Sequence, residues 1–590
     1  MQYLKNFFFL DKLLFVLKLS DSKLKKNIFF LSILYFVVFI FDFFSLGLIF
    51  PLAILILDKQ KFYSLIDNYD YLKIINTLSY EQIVLTITLF IVFFSIVKFI
   101  IIGVYNFFKN NYLSKNQSRI SCLLLEDYLA RRYSFFLNNN SGKLITNIKS
   151  EVERTFVLVR YFFDFCFELI ILIIIFFIIL FYNFFGSLIF ILFILFFSIA
   201  FSALIRAHSH NIGRVRSINY SSLTKYLIQT FLGIKFIKIS KLEKKVIDIF
   251  KKSDSIVCKL DSKYSTINNS TRYFFELLLI LSFCLLVLFF LLFRDISLQL
   301  SQFIIFFAIC AFRALPAISK LHASYNGVIF YMNSLENIYK EFKNKIIDFK
   351  YSSKINNYYF KNLEENTLVN FNNVSFKFSE NKTNILENLN FKINIKDKIA
   401  ILGKTGSGKS TVVDLLLGLL YPENGTVELN KKFFIDYKRF SEVISFAPQT
   451  PFLIEGTILD NIVFGSKDSY SHNKDKSYLD MILKIADCDK FISEHKDNLY
   501  AHVGENGIKL SVGQKQRIAV ARALFKREKK IIILDEPTSS LDVHTSNKLI
   551  NNIIKSFKNI AIVVITHKIE MLRNFNKIYF LKNKKFFLKK

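Results

Sequence analysis

The chain has 590 residues, 52% of them hydrophobic and 17% aromatic, with 78 Lys and Arg against 47 Asp and Glu and a net charge of +31. Apolar residues crowd into roughly the first 330 positions, in runs too long for a globular core. That excludes a wholly soluble enzyme, a secreted disulfide scaffold and a disordered chain.

Residues 1–26 set Phe7, Phe8, Leu14 and Leu17 beside Lys5, Lys12 and Lys18. They read as an amphipathic helix lying along a membrane interface. A bilayer core about 30 Å thick needs about 20 apolar residues in a helix. Six stretches meet that requirement: 27–57, 83–107, 157–182, 184–206, 273–293 and 297–318. They place a six-helix transmembrane domain over 27–340. The segment 108–156 carries eight Lys or Arg, and 206–272 carries fourteen against four acids. Positive loops mark the cytoplasmic side, so both termini of a multi-pass membrane protein are expected there. Both loops are long enough to hold helices extending well below the bilayer.

Within the spans, Lys98, Arg272 and Arg313 are the informative departures. An intramembrane cation costs a few kcal/mol, so it faces a cavity, a partner or a functional site. One reading is a cationic lining for an anionic substrate group. The other is structural: Arg272 snorkels or pairs with Glu276, and Lys98 or Arg313 pairs with Asp42 or Glu168. The six Cys show no metal-ligand or disulfide spacing, and lone His208, His210 and His322 read as structural or solvated. With 70 Phe, no Trp and six Pro, the basic balance reads mainly as compositional drift. No nucleic-acid motif accompanies it, so no nucleic-acid partner is expected.

Residues 341–367 form a charged linker, and 368–590 alternate strand-like and helix-like segments, which predicts an α/β domain with a mainly parallel sheet. Its main motif is GKTGSGKS, comprising Gly403, Lys404, Thr405, Gly406, Ser407, Gly408, Lys409 and Ser410 and followed by Thr411. It follows the apolar run 399–402 and precedes TVVDLLLGLL, the strand–loop–helix setting of a Walker A loop. The glycines let backbone N–H groups close around the phosphates of ATP, Lys409 reaches the β- and γ-phosphates, and Ser410 offers its hydroxyl to Mg²⁺. The run IIILDE delivers Asp535 to that metal and Glu536 beside it as a base for the attacking water.

Between and after these motifs the chain resembles the ATP-binding cassette superfamily. LSVGQKQR (510–517) is similar to the family signature, Gln449 in FAPQTPFL to the Q-loop, SSLD (539–542) to the D-loop and His567 in VVITHK to the switch histidine. Phe378 stands where an aromatic side chain stacks on adenine. The resemblance implies catalytic roles for Glu536, His567 and Gln449, with Gln449 also on Mg²⁺. It implies ATP contacts for Phe378, the Walker A residues, Ser511, Gly513, Gln514 and Asp542. Val512 departs from the commoner Gly. Six spans and one cassette resemble the exporter half-transporters of types I and IV, which implies a dimer, and intact Glu536 and His567 favour a homodimer.

The membrane half has a narrower likeness. IKFIKISKLEK (234–244), TRYFFE (271–276) and AFRALPAISKLHASYNGVIFY (311–331) resemble segments of bacterial lipid-linked oligosaccharide flippases, and 60–78 resembles their external helix. The likeness implies that Lys98, Arg272 and Arg313 receive the lipid pyrophosphate, with Lys98 replacing an Arg. The expected function is ATP-driven export of an amphipathic anionic lipid, with membrane lipids as surroundings. Coupling helices are expected around 135–145 and 225–235. A multidrug or peptide exporter and an ATP-gated channel or regulator stand as alternatives.

Overall fold

The computed structural model describes residues 2–589 except 21–22, 58, 61, 64–77, 183, 294–297, 353–357, 379–382, 435–442 and 466–471. Most of the stretch likened to an external helix therefore lies outside the described residues. The chain divides into two units, one comprising 1–131 and 135–348, the other 132–134 and 349–590.

Among the described residues, the first unit is built from helices. The helices Leu24–Gly47 and Ile49–Leu57 cover the first apolar stretch. The other five lie in the long helices Tyr80–Ala130, Val152–Tyr182, Phe184–Leu232, Glu243–Phe293 and Leu298–Ser352. A 51-residue helix at 1.5 Å per residue is about 75 Å long, more than twice a bilayer core. Among the described residues, the windows 25–45 and 80–130 meet a length-and-hydropathy test for crossing a membrane. In the helix Gln2–Ser20, Leu13, Val16 and Leu17 are buried against Ile120, Leu124 and Leu335, while Leu14 is exposed. Lys12 bonds Glu336 at 2.8 Å.

Chain breaks fall in the two basic loops. Arg131 takes an extended conformation after Ala130, and the short helices Tyr133–Asn138 and Ser141–Thr146 follow. In the second loop Gly233 interrupts the helix before Ile234–Ile239. Several buried charges in this unit are paired, as burial demands. Arg131 reaches Asp127 at 2.7 Å and Glu341 at 3.2 Å, and Lys109 reaches Asp164 at 2.9 Å. His322 stacks on Phe275, with ring centroids 4.4 Å apart, and meets Ser202 Oγ at 3.2 Å.

Among the described residues, the second unit holds two sheets. One has the order β1 (Tyr358–Lys361), β5 (Asn424–Asn430), β2 (Thr367–Phe376), β3 (Leu386–Asn394). The other has the order β10 (Lys585–Leu588), β9 (Lys577–Lys582), β4 (Lys398–Gly403), β8 (Ala561–Ile565), β7 (Ile531–Asp535), β6 (Ile444–Ala447). All its neighbours pair in parallel except the terminal hairpin β9–β10. β8 is buried along its whole length and β7 as far as Leu534, which explains their unbroken aliphatic runs. Parallel pairing brings the loops after β4, β6, β7 and β8 to one edge of the sheet, where open α/β folds place their sites.

Candidate functional site

Four of the sequence motifs follow the ends of strands β4, β6, β7 and β8. β4 runs into the Gly-rich loop, which closes on the helix Lys409–Leu416. Gly406 and Gly408 take φ values of +77° and +103°, a region that disfavours a side chain. Gly403 needs space instead, since an added Cβ would stand 2.7 Å from Ser407 Oγ and 2.9 Å from the Leu581 carbonyl. Lys409 folds back along the loop and donates to the carbonyls of Gly403 at 2.9 Å and Lys404 at 3.1 Å. Burial lowers its pKa, while the Glu536 and Asp535 carboxylates oppose that shift. Ser407 Oγ is buried with no hydrogen-bond partner. Lys404, Thr405, Gly406 and Ser410 are exposed on the loop, and Thr411 is buried behind it.

β7 delivers Asp535 and Glu536, with Asp535 in register with Ile565 of the neighbouring β8. His567 lies two residues beyond Ile565, and Gln449 two beyond the end of β6, so both flank the acidic pair. Glu536 Oε2 accepts from Gln449 Nε2 at 2.9 Å, and Oε1 lies 2.8 Å from His567 Nε2. Glu536 has φ +46°, an uncommon conformation for a side-chain-bearing residue, and its N–H is held by the Ile565 carbonyl at 3.0 Å. The Asp535 carboxyl is pushed up to about 6 by burial and then by the charge of Glu536. Asp414, on the helix after the loop, is raised to about 6 by burial and by Asp535.

These features fit a nucleotide with a hard divalent cation. The loop offers a backbone cradle, a Lys and an orphan hydroxyl for phosphate. Ser410, Asp535 and Gln449 would offer oxygen donors of the kind Mg²⁺ selects, and carboxylates disfavoured in their charged form would gain from a cation. Phe378 is half-buried, with its ring edge-on to Phe376 at 5.1 Å.

The signature sits at the start of another helix, Val512–Phe525. Ser511 caps it: its Oγ accepts from Gln514 N–H at 3.2 Å, and its own N–H donates to Gln514 Oε1 at 2.8 Å. Val512 points outward at 67% exposure, so its departure from Gly is accommodated in this chain. A Cβ on Gly513 would lie 3.2 Å from Leu541, so the bare backbone lets the D-loop pack there. Asp542 caps the helix Val543–Ser556, accepting from Thr545 N–H at 2.9 Å.

Other residues brace this arrangement and carry no signal in the bare motifs. Lys568, next to the switch histidine, donates to the carbonyls of Thr538 and Leu541, each at 2.7 Å. Arg522, in the last turn of the signature helix, ties it to Asn461 and the Phe452 carbonyl. Asn461 also bonds Ile454 on both N–H and carbonyl, which fixes the segment after Gln449.

In the other unit, Lys98, Arg272 and Arg313 stand on the helices Tyr80–Ala130, Glu243–Phe293 and Leu298–Ser352. Lys98 and Arg313 are half-buried and Arg272 is exposed. Glu168, considered above as a partner for Lys98 or Arg313, bonds Lys320 at 2.7 Å.

Comparison with known proteins agrees with this geometry. Residues 386–539 match the family described as ABC transporter, and 62–315 match the ABC transporter transmembrane region. A protein of Rickettsia prowazekii named as an export ATP-binding/permease protein is 37% identical over 39% of this chain and 39% of its own length. An ATP-dependent lipid A-core flippase of Blochmanniella floridana is 36% identical over 40% and 39%. The alpha-hemolysin translocation ATP-binding protein of Escherichia coli O157:H7 is 34% identical over 36% and 30%. These matches span at most about two fifths of each relative. The fold is that of a bacterial Atm1-family ABC exporter solved with ATP bound, with a TM-score of 0.73, 16% identity and coverage of 96% of this chain and 95% of that one. An ATP-binding domain and an exporter-type transmembrane domain are thus fused in one polypeptide, and the chain belongs to the ABC transporter family.

Proposed function

We propose that this protein is an ATP-hydrolysing exporter that works as a homodimer and moves an amphipathic anionic lipid from the cytoplasmic to the outer leaflet of a bacterial inner membrane. The observation that carries the ATPase reading is the placing of Glu536 between Gln449 and His567 at the edge where the Walker A loop also ends. Bound Mg·ATP would supply the γ-phosphoryl group and its electrophilic phosphorus. Lys409 and the loop N–H groups hold the phosphate oxygens, and Ser410, Asp535 and Gln449 hold the cation. Glu536 takes the proton of the attacking water, and His567 keeps that carboxylate oriented. Ser511, Gly513 and Gln514 belong to the opposite face and serve the site of the second copy.

The lipid assignment rests on the half-buried Lys98 and Arg313, with Arg272, on three helices of the transmembrane unit. Both termini are placed in the cytoplasm on the basic balance of the two long loops. The short helices at 133–146 and the break at Gly233 support the reading of coupling helices around 135–145 and 225–235. The likeness to an alpha-hemolysin translocation protein keeps a peptide cargo as the second reading. The test is ATPase activity in proteoliposomes with and without a polyprenyl-pyrophosphate glycan, comparing wild type with Arg313→Ala. Stimulation that vanishes in the variant while basal turnover persists supports the anionic lipid. Stimulation by peptides or hydrophobic drugs instead favours the second reading.

A further inference from the structure

The second turn of the signature helix carries Gln516, which is 2% exposed and faces away from Ser511 and Gln514. Two positions along a helix rotate a side chain by about 200°, so Gln514 and Gln516 serve opposite sides. The Gln516 amide donates to the carbonyl of Glu536 and to Ser539 Oγ at 3.2 Å. Its Oε1 accepts from Ser540 Oγ at 2.6 Å. The Glu536 carbonyl also receives Ser539 N–H at 3.2 Å, so the backbone at this strained residue is gripped from both sides. One buried side chain thereby joins the signature helix, the backbone of the proposed base and the D-loop.

We propose that Gln516 is a positioning residue that couples the two ATP sites of the dimer. This rests on the reading of Glu536 as base and of the cassettes as a head-to-tail pair. In such a pair each chain gives its signature to one site and its Glu536 to the other. A displacement of the Glu536 carbonyl or of Ser540 pulls Gln516, and with it the first turn of the helix that presents Ser511. The link is short, buried and within one chain, and Gly513 packed under Leu541 allows little slack. Coupling through it is reciprocal, so closure at either site biases the other.

The test uses the full-length protein in nanodiscs and hydrogen exchange with Mg·ADP as the probe. ADP lacks the γ-phosphate that a partner's signature would touch, so a response at 510–517 must travel through the chain. In the wild type, exchange slows at 403–411 and changes at 510–517. In Gln516→Met the first response is kept and the second is lost. In ATP turnover the same variant shows kcat reduced about tenfold, KM within about twofold and a Hill coefficient reduced to about 1. Ser540→Ala removes one arm of the link, shows the same effects at about a third of the size, and carries the test if Gln516→Met does not fold. A folded variant with the wild-type response at 510–517 and an unaltered Hill coefficient overturns the coupling role. Absence of any response at 403–411 in the wild type overturns the ATP-site reading beneath it.

Discussion

Glu536 Oε1 lies 2.8 Å from His567 Nε2 because parallel strands β7 and β8 end in register at Asp535 and Ile565. The next residue on one strand and the second on the other then meet above the sheet edge. Gln449, from the strand on the far side of β7, takes the second carboxylate oxygen. Glu536→Gln keeps the shape but removes the base, so turnover falls by about 10²–10⁴-fold while labelled ATP still binds. Steady-state hydrolysis and filter binding on the same preparation check this. Wild-type turnover in Glu536→Gln contradicts the assignment.

His567→Ala leaves Glu536 hydrogen-bonded on one oxygen only. Losing a bond to a charged group is worth about 1.5–3 kcal/mol, which corresponds to a fall in kcat of about 10–100-fold. KM should stay within about threefold, because His567 is not in the phosphate cradle. A large rise in KM with kcat unchanged would place His567 in binding instead.

The cassette site was legible in the sequence where its signals are local. Two permissive glycines, a lysine and an aliphatic strand read directly as a phosphate loop, and four aliphatics before Asp535 read as a buried strand. The braces were not legible, because they depend on contacts remote in sequence. Gln516 and Gln514 look alike in the motif, and only the helix rotation separates their roles. Arg131 meets Glu341 across 210 residues, and nothing in either segment announces the other. In the transmembrane half, apolar runs showed where helices lie but not which polar groups pair, as with Lys320 on Glu168.

Arg131 is the predicted weak point of the helical unit. Its guanidinium bonds Asp127 and Glu341, lies 4.4 Å from the Phe135 ring centroid, and has a side chain only 5% exposed. Arg131→Met leaves two buried carboxylates without their cation, and it should cost about 3–5 kcal/mol. Thermal unfolding in detergent, read against Arg131→Met/Asp127→Asn/Glu341→Gln, checks it. The triple variant should recover most of the loss.

Lys398 gives a pH signature in the cassette. Its Nζ donates to the Phe557 carbonyl at 2.9 Å and to the Ile560 carbonyl, and burial lowers its pKa to about 8. The folded value lies below the unfolded one of 10.5, so the unfolded chain binds more protons between about pH 8 and 10.5. The stabilising contribution of this group is therefore full above that range and is lost as pH falls through about 8. The Tm advantage of wild type over Lys398→Met should widen from pH 7.5 to pH 9.5. A constant or narrowing gap contradicts the lowered pKa.

Translocation itself is the most direct measurement. Proteoliposomes carrying a polyprenyl-pyrophosphate glycan can be probed with a membrane-impermeant glycosidase that reads the leaflet opposite the ATP. With wild-type protein and Mg·ATP, accessible glycan should accumulate there, and with ADP or Glu536→Gln it should not. Equal accessibility in all three conditions would contradict ATP-driven export of this lipid class.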